Sequence, residues 1–562
     1  MSNGLGRMPT GIPGLDRLLE GGIVRGNSLL IEGPPGSGKT TFGVRMIAEG
    51  VRQHDEPGLI ISFEEFPRQI YEEAWTQGVD LEELEATGKL RIVWTPPQRV
   101  LDSFNGRNDL IDDLVKQMGV RRILIDSVTH FKRVSDSETE LREVLAGVLS
   151  YFKLQGVNSI LVKELERNDE RDIAFEEYLV DASIRVLNGR RARGGENLRS
   201  VEIRKTRGQG HTSGRHPFTL SAEGLVVYPR LRPQDVRFGL IETRDTRRDR
   251  VSTGVPGLDT MLNGGLWEGS VNGVSGYQAS GKTVLTYHFL DEQMRRGKPA
   301  LFVSFHRSPG QVVADAASLG LDWSGSVDSG QLQLVRADWV GMTPEIFLNR
   351  LFEAVAAHSP DAFALDSLND FADLCEDARG VNDDTVVLVE MLRSVGATAL
   401  LIQRLSHMRG DATVHDQDLG ELLDAQIQFS VAEGHGRLER FVSVRKHSGS
   451  NHASDLRELR IDERGMYVAD RATSRSGVLT GSSRPGYDDP AQEVLPRIET
   501  ILATFREVLE QLPGQLPEDA PVIERLESAR NELVVADVVM REHFGVTEYF
   551  KLADRVGSHD RD

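Results

Sequence analysis

Cysteine is almost absent from the 562 residues, with Cys375 the only one. A lone thiol excludes a disulfide framework and a cysteine-based zinc site. Long apolar runs are missing as well. No stretch approaches the ~18 residues that a membrane span requires. The first residues lack the basic-then-apolar order of a secretory signal, so the expected compartment is the cytoplasm. Positive charge is in deficit, with 66 Lys and Arg against 86 Asp and Glu and a formal net charge of −20. A broad nucleic-acid surface needs clustered cations to release counterions. Nucleic acid is therefore not the expected partner, although a local basic groove is compatible with the total. The remainder, 39% hydrophobic and 27% charged, is that of a folded chain. Length alone predicts three or four domains, or fewer if they are large α/β units.

The chain repeats itself. TGIPGLDRLLEGGIVRGNSLLIEGPPGSGKTTF begins at Thr10 and TGVPGLDTMLNGGLWEGSVNGVSGYQASGKTVL at Thr253, aligned without a gap through Thr40 and Thr283. A period this long marks duplicated domains rather than a solenoid. The first copy is expected over 1–235 and the second over 245–470. Between them Arg230–Arg250 is charged and reads as an extended connector. A Ser/Gly/Arg-rich segment, 471–492, reads as a flexible linker. The tail, 493–562, reads as a helical hairpin: Ile498, Ile501, Leu502, Phe505, Val508, Leu509 and Leu512 share one helical face. Val522, Leu526, Ala529, Leu533, Ala536 and Met540 form a second stripe beyond LPGQLPEDAP. That tail either packs on the body or binds a protein partner.

GPPGSGKT, Gly33 to Thr40, satisfies G-x-x-x-x-G-K-[ST] between an apolar strand and a helix, the context this phosphate loop requires. Gly33, Gly36, Ser37, Gly38 and the following Thr41 would present backbone N–H groups to phosphate oxygens. The helix N-terminus adds a favourable field. Lys39 would reach the β/γ-phosphates and the Thr40 hydroxyl would meet Mg²⁺. The cofactors implied are ATP and Mg²⁺. RRILIDSVTHF supplies an apolar strand ending in Asp126, placed to hold the metal directly or through water. GLIISFEEFPRQI ends another strand in Glu64 and Glu65. Neighbouring side chains at a strand end diverge, so one carboxylate can face a water at the γ-phosphate while the other anchors the loop. Glu65 is slightly preferred as the base.

With these motifs in place, the chain resembles the KaiC family of RecA-like ATPases over about residues 8–470. TGIPGLDRLLEGG, SFEEFP and EIRKTRGQGHTSGRHPFTL (Glu202 to Leu220) carry the resemblance in combination. It implies two tandem RecA-like α/β domains, each a mostly parallel twisted sheet flanked by helices, and a ring-shaped hexamer with nucleotides between neighbouring subunits. Alone, RKTRG reads as a solvated basic hairpin. Under the resemblance, Lys205 and Arg207 would act on the neighbour's γ-phosphate, with His211 nearby. A cation delivered in trans stabilises charge on the transferring phosphoryl group.

The second copy departs from this pattern. GYQASGKT retains Gly276, Ser280, Gly281, Lys282 and Thr283, followed by Val284, and PDAFALDSLNDF places Asp366 as the metal-side carboxylate, so nucleotide and Mg²⁺ are both expected here, the metal at Thr283 and Asp366 directly or through water. The Glu pair is replaced by His306 and Arg307. Lys446 aligns with Lys205, but Ser448 stands at the position of Arg207. Loss of the water-activating carboxylate and the trans arginine predicts a copy that binds ATP with little turnover, His306 being the one remaining base for slow hydrolysis. Clock members of the family phosphorylate adjacent hydroxyls in this copy. Gly420 and Glu421 stand there instead, Asp424 keeps the following acidic position, and no Ser or Thr lies between Val414 and Gln428.

The favoured reading is an assembly-dependent ATPase acting as a regulatory switch. A DNA-dependent recombinase or helicase is the alternative, for which basic GRRARGGENLR, Gly189 to Arg199, would line a pore. The net charge argues against it. A clock-type autokinase is the third reading, and the missing hydroxyls argue against that.

Overall fold

A computed structural model of the chain describes residues 6–104, 110–133, 137–165, 175–190, 197–222, 224–237, 249–337, 342–375, 378–405, 420–434, 437–463, 465–471, 475–476 and 484–485. The expected linker lies largely, and the helical tail entirely, outside them. The part of the basic segment from Arg191 to Glu196 is outside them too.

Nine strands make the first sheet: β1 (Ser28–Gly33), β2 (Gly58–Ser62), β3 (Leu90–Trp94), β4 (Arg122–Asp126), β5 (Asn158–Glu164), β6 (Ala182–Arg190), β7 (Asn197–Thr206), β8 (Arg215–Ser221) and β9 (Gly224–Val227). Their order is β3-β2-β4-β5-β1-β6-β7-β8-β9. The run β3 to β6 is parallel and β6 to β9 antiparallel. The parallel strands are near-continuous Ile, Leu and Val because both faces are covered by helices. One face packs Phe42, Met46 and Ile47 of α1 (Lys39–His54). The other packs Leu145, Val148 and Phe152.

α2 (Pro233–Arg237) follows the first sheet. The second sheet then repeats the first: β10 (Val271–Gly276), β11 (Ala300–Ser304), β12 (Leu332–Arg336), β13 (Ala362–Asp366), β14 (Thr398–Arg404), β15 (Ala425–Gly434), β16 (Arg437–His447), β17 (Arg457–Asp462) and β18 (Gly465–Arg471). Its order, β12-β11-β13-β14-β10-β15-β16-β17-β18, matches the first strand for strand. α3 (Lys282–Arg295) takes the place of α1. The molecule contains two tandem RecA-like domains.

The expectation of an extended connector fails in its first part. Leu231 and Val236 are buried with Phe347, Leu388 and Leu392 in the second domain's core. Asn349 Nδ2 donates to Pro229 O at 2.8 Å. Leu231 before the helix and Val236 on it suffice to dock 229–237, and burial outweighs the charge of the neighbouring residues.

The duplicated TG-x-PGLD turn is structural. Asp16 accepts from the N–H groups of Thr10 and Gly11, and Asp259 from the N–H and hydroxyl of Thr253. Gly14 has φ of 82°, and a Cβ there would lie 1.9 Å from Val227 O. The turn thereby locks onto β9, the far edge of the same sheet.

Candidate functional site

The chain leaves β1 at its carboxyl end and enters α1 through the phosphate loop. A Cβ at Gly33 would lie 2.2 Å from Val186 O, so only glycine lets the loop pass β6. Gly36 and Gly38 hold φ of 71° and 103°, the left-handed region that glycine tolerates. Lys39 Nζ donates to Pro34 O at 2.9 Å, and Thr40 Oγ1 donates to Asp126 Oδ2 at 2.6 Å. Ser37 Oγ is buried without an internal partner. Gln77 Nε2 donates to Thr41 Oγ1 at 3.4 Å. A glycine cradle, an unsatisfied buried hydroxyl and two oxygen donors in contact fit a magnesium–nucleotide complex. Burial drives the Asp126 carboxyl up and the Lys39 ammonium down from their ordinary pKa values.

The two glutamates diverge as their alternation predicts. Glu64 is exposed and its Oε2 lies 3.2 Å from His130 Nε2. Glu65 is half-buried. Desolvation first, then the charges of Glu73, Asp126 and Glu64, raise its pKa to about 7. Its N–H donates to Ser62 Oγ at 3.1 Å. A carboxylate near pH 7 beside the metal-side aspartate has the properties of a base that activates water.

Lys205, Arg207 and His211 lie elsewhere. Lys205 pairs in register with Ser183, and Arg207 N–H donates to Asp181 O, beyond the start of β6. Ser183 is level with Leu30 of β1, whereas the phosphate loop leaves β1 at Gly33. The three residues thus occupy the amino edge of the parallel strands, with the phosphate loop at the carboxyl edge. Lys205 Nζ donates to Glu177 O and Val180 O at 2.7 and 2.8 Å, and Arg207 Nη2 to Tyr178 O at 3.0 Å. His211 Nδ1 lies 2.8 Å from Thr206 Oγ1.

In the second domain the loop geometry is retained. A Cβ at Gly276 would lie 2.7 Å from Phe429 O, and Gly281 has φ of 111°. Lys282 Nζ donates to Gly276 O and Tyr277 O, and Thr283 Oγ1 to Asp366 Oδ2 at 3.0 Å. Ser280, Val284, His306 and Arg307 join them around a cavity of about 420 Å³. Arg307 N–H donates to Ser304 Oγ at 3.2 Å, as Glu65 does to Ser62, which fixes the Glu-to-Arg equivalence. Lys446 donates to the carbonyls of Gly420, Glu421 and Leu423, matching Lys205. Ser448 N–H donates to Asp424 O as Arg207 does to Asp181 O.

Four further residues escaped the sequence reading, as two equivalent pairs. Glu164 closes β5 beside Gly33, and Arg404 closes β14 beside Gly276. Both strand ends are visible in the sequence, but only sheet register sets them against the phosphate loops. His130 of the first copy corresponds to Asp370 of the second. His306 Nε2 lies 3.0 Å from Asp370 Oδ1, so the Glu64–His130 pair recurs with its two members exchanged.

Duplicated phosphate loops on doubly covered parallel sheets define a tandem P-loop ATPase of the RecA-like class. The KaiC ATPase family model matches residues 8–232 and again 251–473. The chain belongs to that family. It is 28% identical over 498 residues to the circadian clock oscillator protein KaiC of Picosynechococcus sp., covering 85% of this chain and 92% of that protein. It is also 28% identical over 499 residues to its namesake in Prochlorococcus marinus, covering 86% and 96%.

Proposed function

We propose that the first domain hydrolyses ATP at junctions between subunits of a homo-oligomeric ring, six by family expectation, and that the protein acts as a nucleotide-dependent regulatory switch. The observation that carries this reading is the separation of the two half-sites. Lys39, Thr40, Asp126 and Glu65 gather at one edge of the sheet, while Lys205 and Arg207 stand at the other. Along β1, at about 3.3 Å per residue, the separation from Gly33 is roughly 10 Å to Leu30, level with Lys205, and roughly 16 Å to Ser28, level with Asp181 and Arg207. A second chain is needed to bring the halves together.

The backbone of Gly33–Thr40 holds the β- and γ-phosphates and Lys39 neutralises them. Mg²⁺, when bound at Thr40 and Asp126, offsets charge on the same oxygens. Glu65 accepts the proton of the attacking water as its oxygen bonds the γ-phosphorus. The bond to the β–γ bridging oxygen breaks, and ADP and phosphate leave. Arg207 and Lys205 of the neighbour stabilise the equatorial oxygens; such a finger is worth about 10³–10⁵ in rate. The second domain holds nucleotide with little turnover, since Arg307 cannot accept a proton and Ser448 replaces the arginine. Protein kinase activity is not part of this function, because Gly420 and Glu421 occupy the modification positions.

Phosphate release from Lys39→Ala and Lys282→Ala chains tests the assignment. Lys39→Ala should lower the rate by about 100-fold or more. Loss of most activity in Lys282→Ala instead would overturn it.

A further inference from the structure

Seven aligned positions lie at or near the two phosphate sites: Lys39/Lys282, Glu64/His306, Glu65/Arg307, Glu73/Asp315, Asp126/Asp366, His130/Asp370 and Glu164/Arg404. With His neutral, the first set holds one cation and five carboxylates, formally −4. The second holds three cations and three carboxylates, formally zero. Four units of charge separate two sites with the same loop, the same threonine and the same strand-end aspartate.

The first set can receive a nucleoside triphosphate only if other cations accompany it. A divalent metal at Thr40 and Asp126 meets that need. The second set carries its own. Arg307 and Arg404 line one cavity with Lys282, Thr283 and Asp366, and Arg440 adds a further cation there. Their guanidinium groups are held in place: Arg307 Nη1 donates to Tyr287 OH at 2.8 Å and lies 3.4 Å from Asp315, and Arg404 pairs with Asp370. Arg440 Nε donates to Ala279 O of the loop at 3.1 Å. A guanidinium matches phosphate oxygens in a two-pronged geometry that needs no metal. Conversely, Arg307 lines the same cavity as Asp366, so a divalent ion at this aspartate would meet like charge. The charge around the same two oxygen donors therefore suits Mg²⁺ poorly in the second domain and well in the first.

We propose that the second phosphate loop holds a nucleoside triphosphate without a divalent cation, Arg307 and Arg404 taking over the metal's neutralising role. This rests on the reading above that the second domain binds nucleotide. The consequence is a division of labour within one chain. The first site responds to free Mg²⁺, and the second stays loaded when Mg²⁺ falls.

ATP binding to the full chain tests this by equilibrium dialysis, with Mg²⁺ or with EDTA. Wild type should bind two ATP per chain with Mg²⁺ and one with EDTA. A Lys39→Ala chain, reporting the second site, should change its Kd by less than about threefold between the two conditions. Adding Arg307→Glu and Arg404→Glu should weaken binding in EDTA by at least about tenfold, with Mg²⁺ restoring part of it. A Lys39→Ala chain that binds with Mg²⁺ and weakens tenfold or more in EDTA overturns the proposal and leaves the nucleotide-binding reading standing. One ATP per wild-type chain with Mg²⁺ and none in EDTA overturns both. Because the wild-type stoichiometry needs no substitution, a variant that fails to fold does not block the test.

Discussion

At the scale of single residues, chemistry in this chain is decided by a few swaps against a constant frame. The backbone N–H groups of Glu65 and Arg307 donate to equivalent serine hydroxyls, Ser62 and Ser304, yet one side chain can take a proton and the other cannot. Burial and neighbouring carboxylates raise the Glu65 pKa to about 7. Hydrolysis requires the ionised form, so kcat should rise with pH through about 7 and level off above it. Glu65→Gln should cost about 10²–10⁴ in kcat and abolish that limb, whereas Glu64→Gln should keep it. A pH–rate profile of the three chains checks this. The first-domain phosphate loop, Asp126 and the Glu pair were legible from sequence because each follows an apolar strand in recognisable order. The exchange of Glu64–His130 for His306–Asp370 was only half legible. His306 and Asp370 both stand in aligned motifs, Asp370 in PDAFALDSLNDF at the place of His130 in RRILIDSVTHF, but only packing shows that the two touch.

At the scale of elements, the apolar strands before each motif were legible and the family resemblance implied two mostly parallel sheets, while the antiparallel strands beyond β6 and β15 were not read. The docked segment 229–237 was misread for a physical reason. A helix of five residues is shorter than two turns, too short to show periodicity, and it carries only Val236, while the second anchor, Leu231, precedes it among Arg and Pro. Leu231→Ala should cost about 2–5 kcal/mol through the cavity left in the second domain's core. Urea unfolding should register this as a lowered midpoint, while an exposed neighbour such as Arg232→Ala should move it little.

At the scale of the whole molecule, among the described residues no helix is long and apolar enough to cross a membrane. The proposed ring makes a prediction that no single-chain site could meet. Lys39→Ala and Arg207→Ala chains should each hydrolyse ATP poorly. Mixed in equal amounts and allowed to exchange, they should recover up to about a quarter of wild-type activity, since that share of junctions pairs an intact Lys39 with an intact Arg207. Recovery of none would mean that each chain completes its own site.

The placement of the two half-sites at opposite edges of one sheet has a further consequence for mixed populations. A chain lacking both Lys39 and Arg207 spoils the junction on either side of it. In rings that exchange freely, activity should follow the square of the intact fraction, so defective copies remove more activity than their share, and about a third of them would remove more than half.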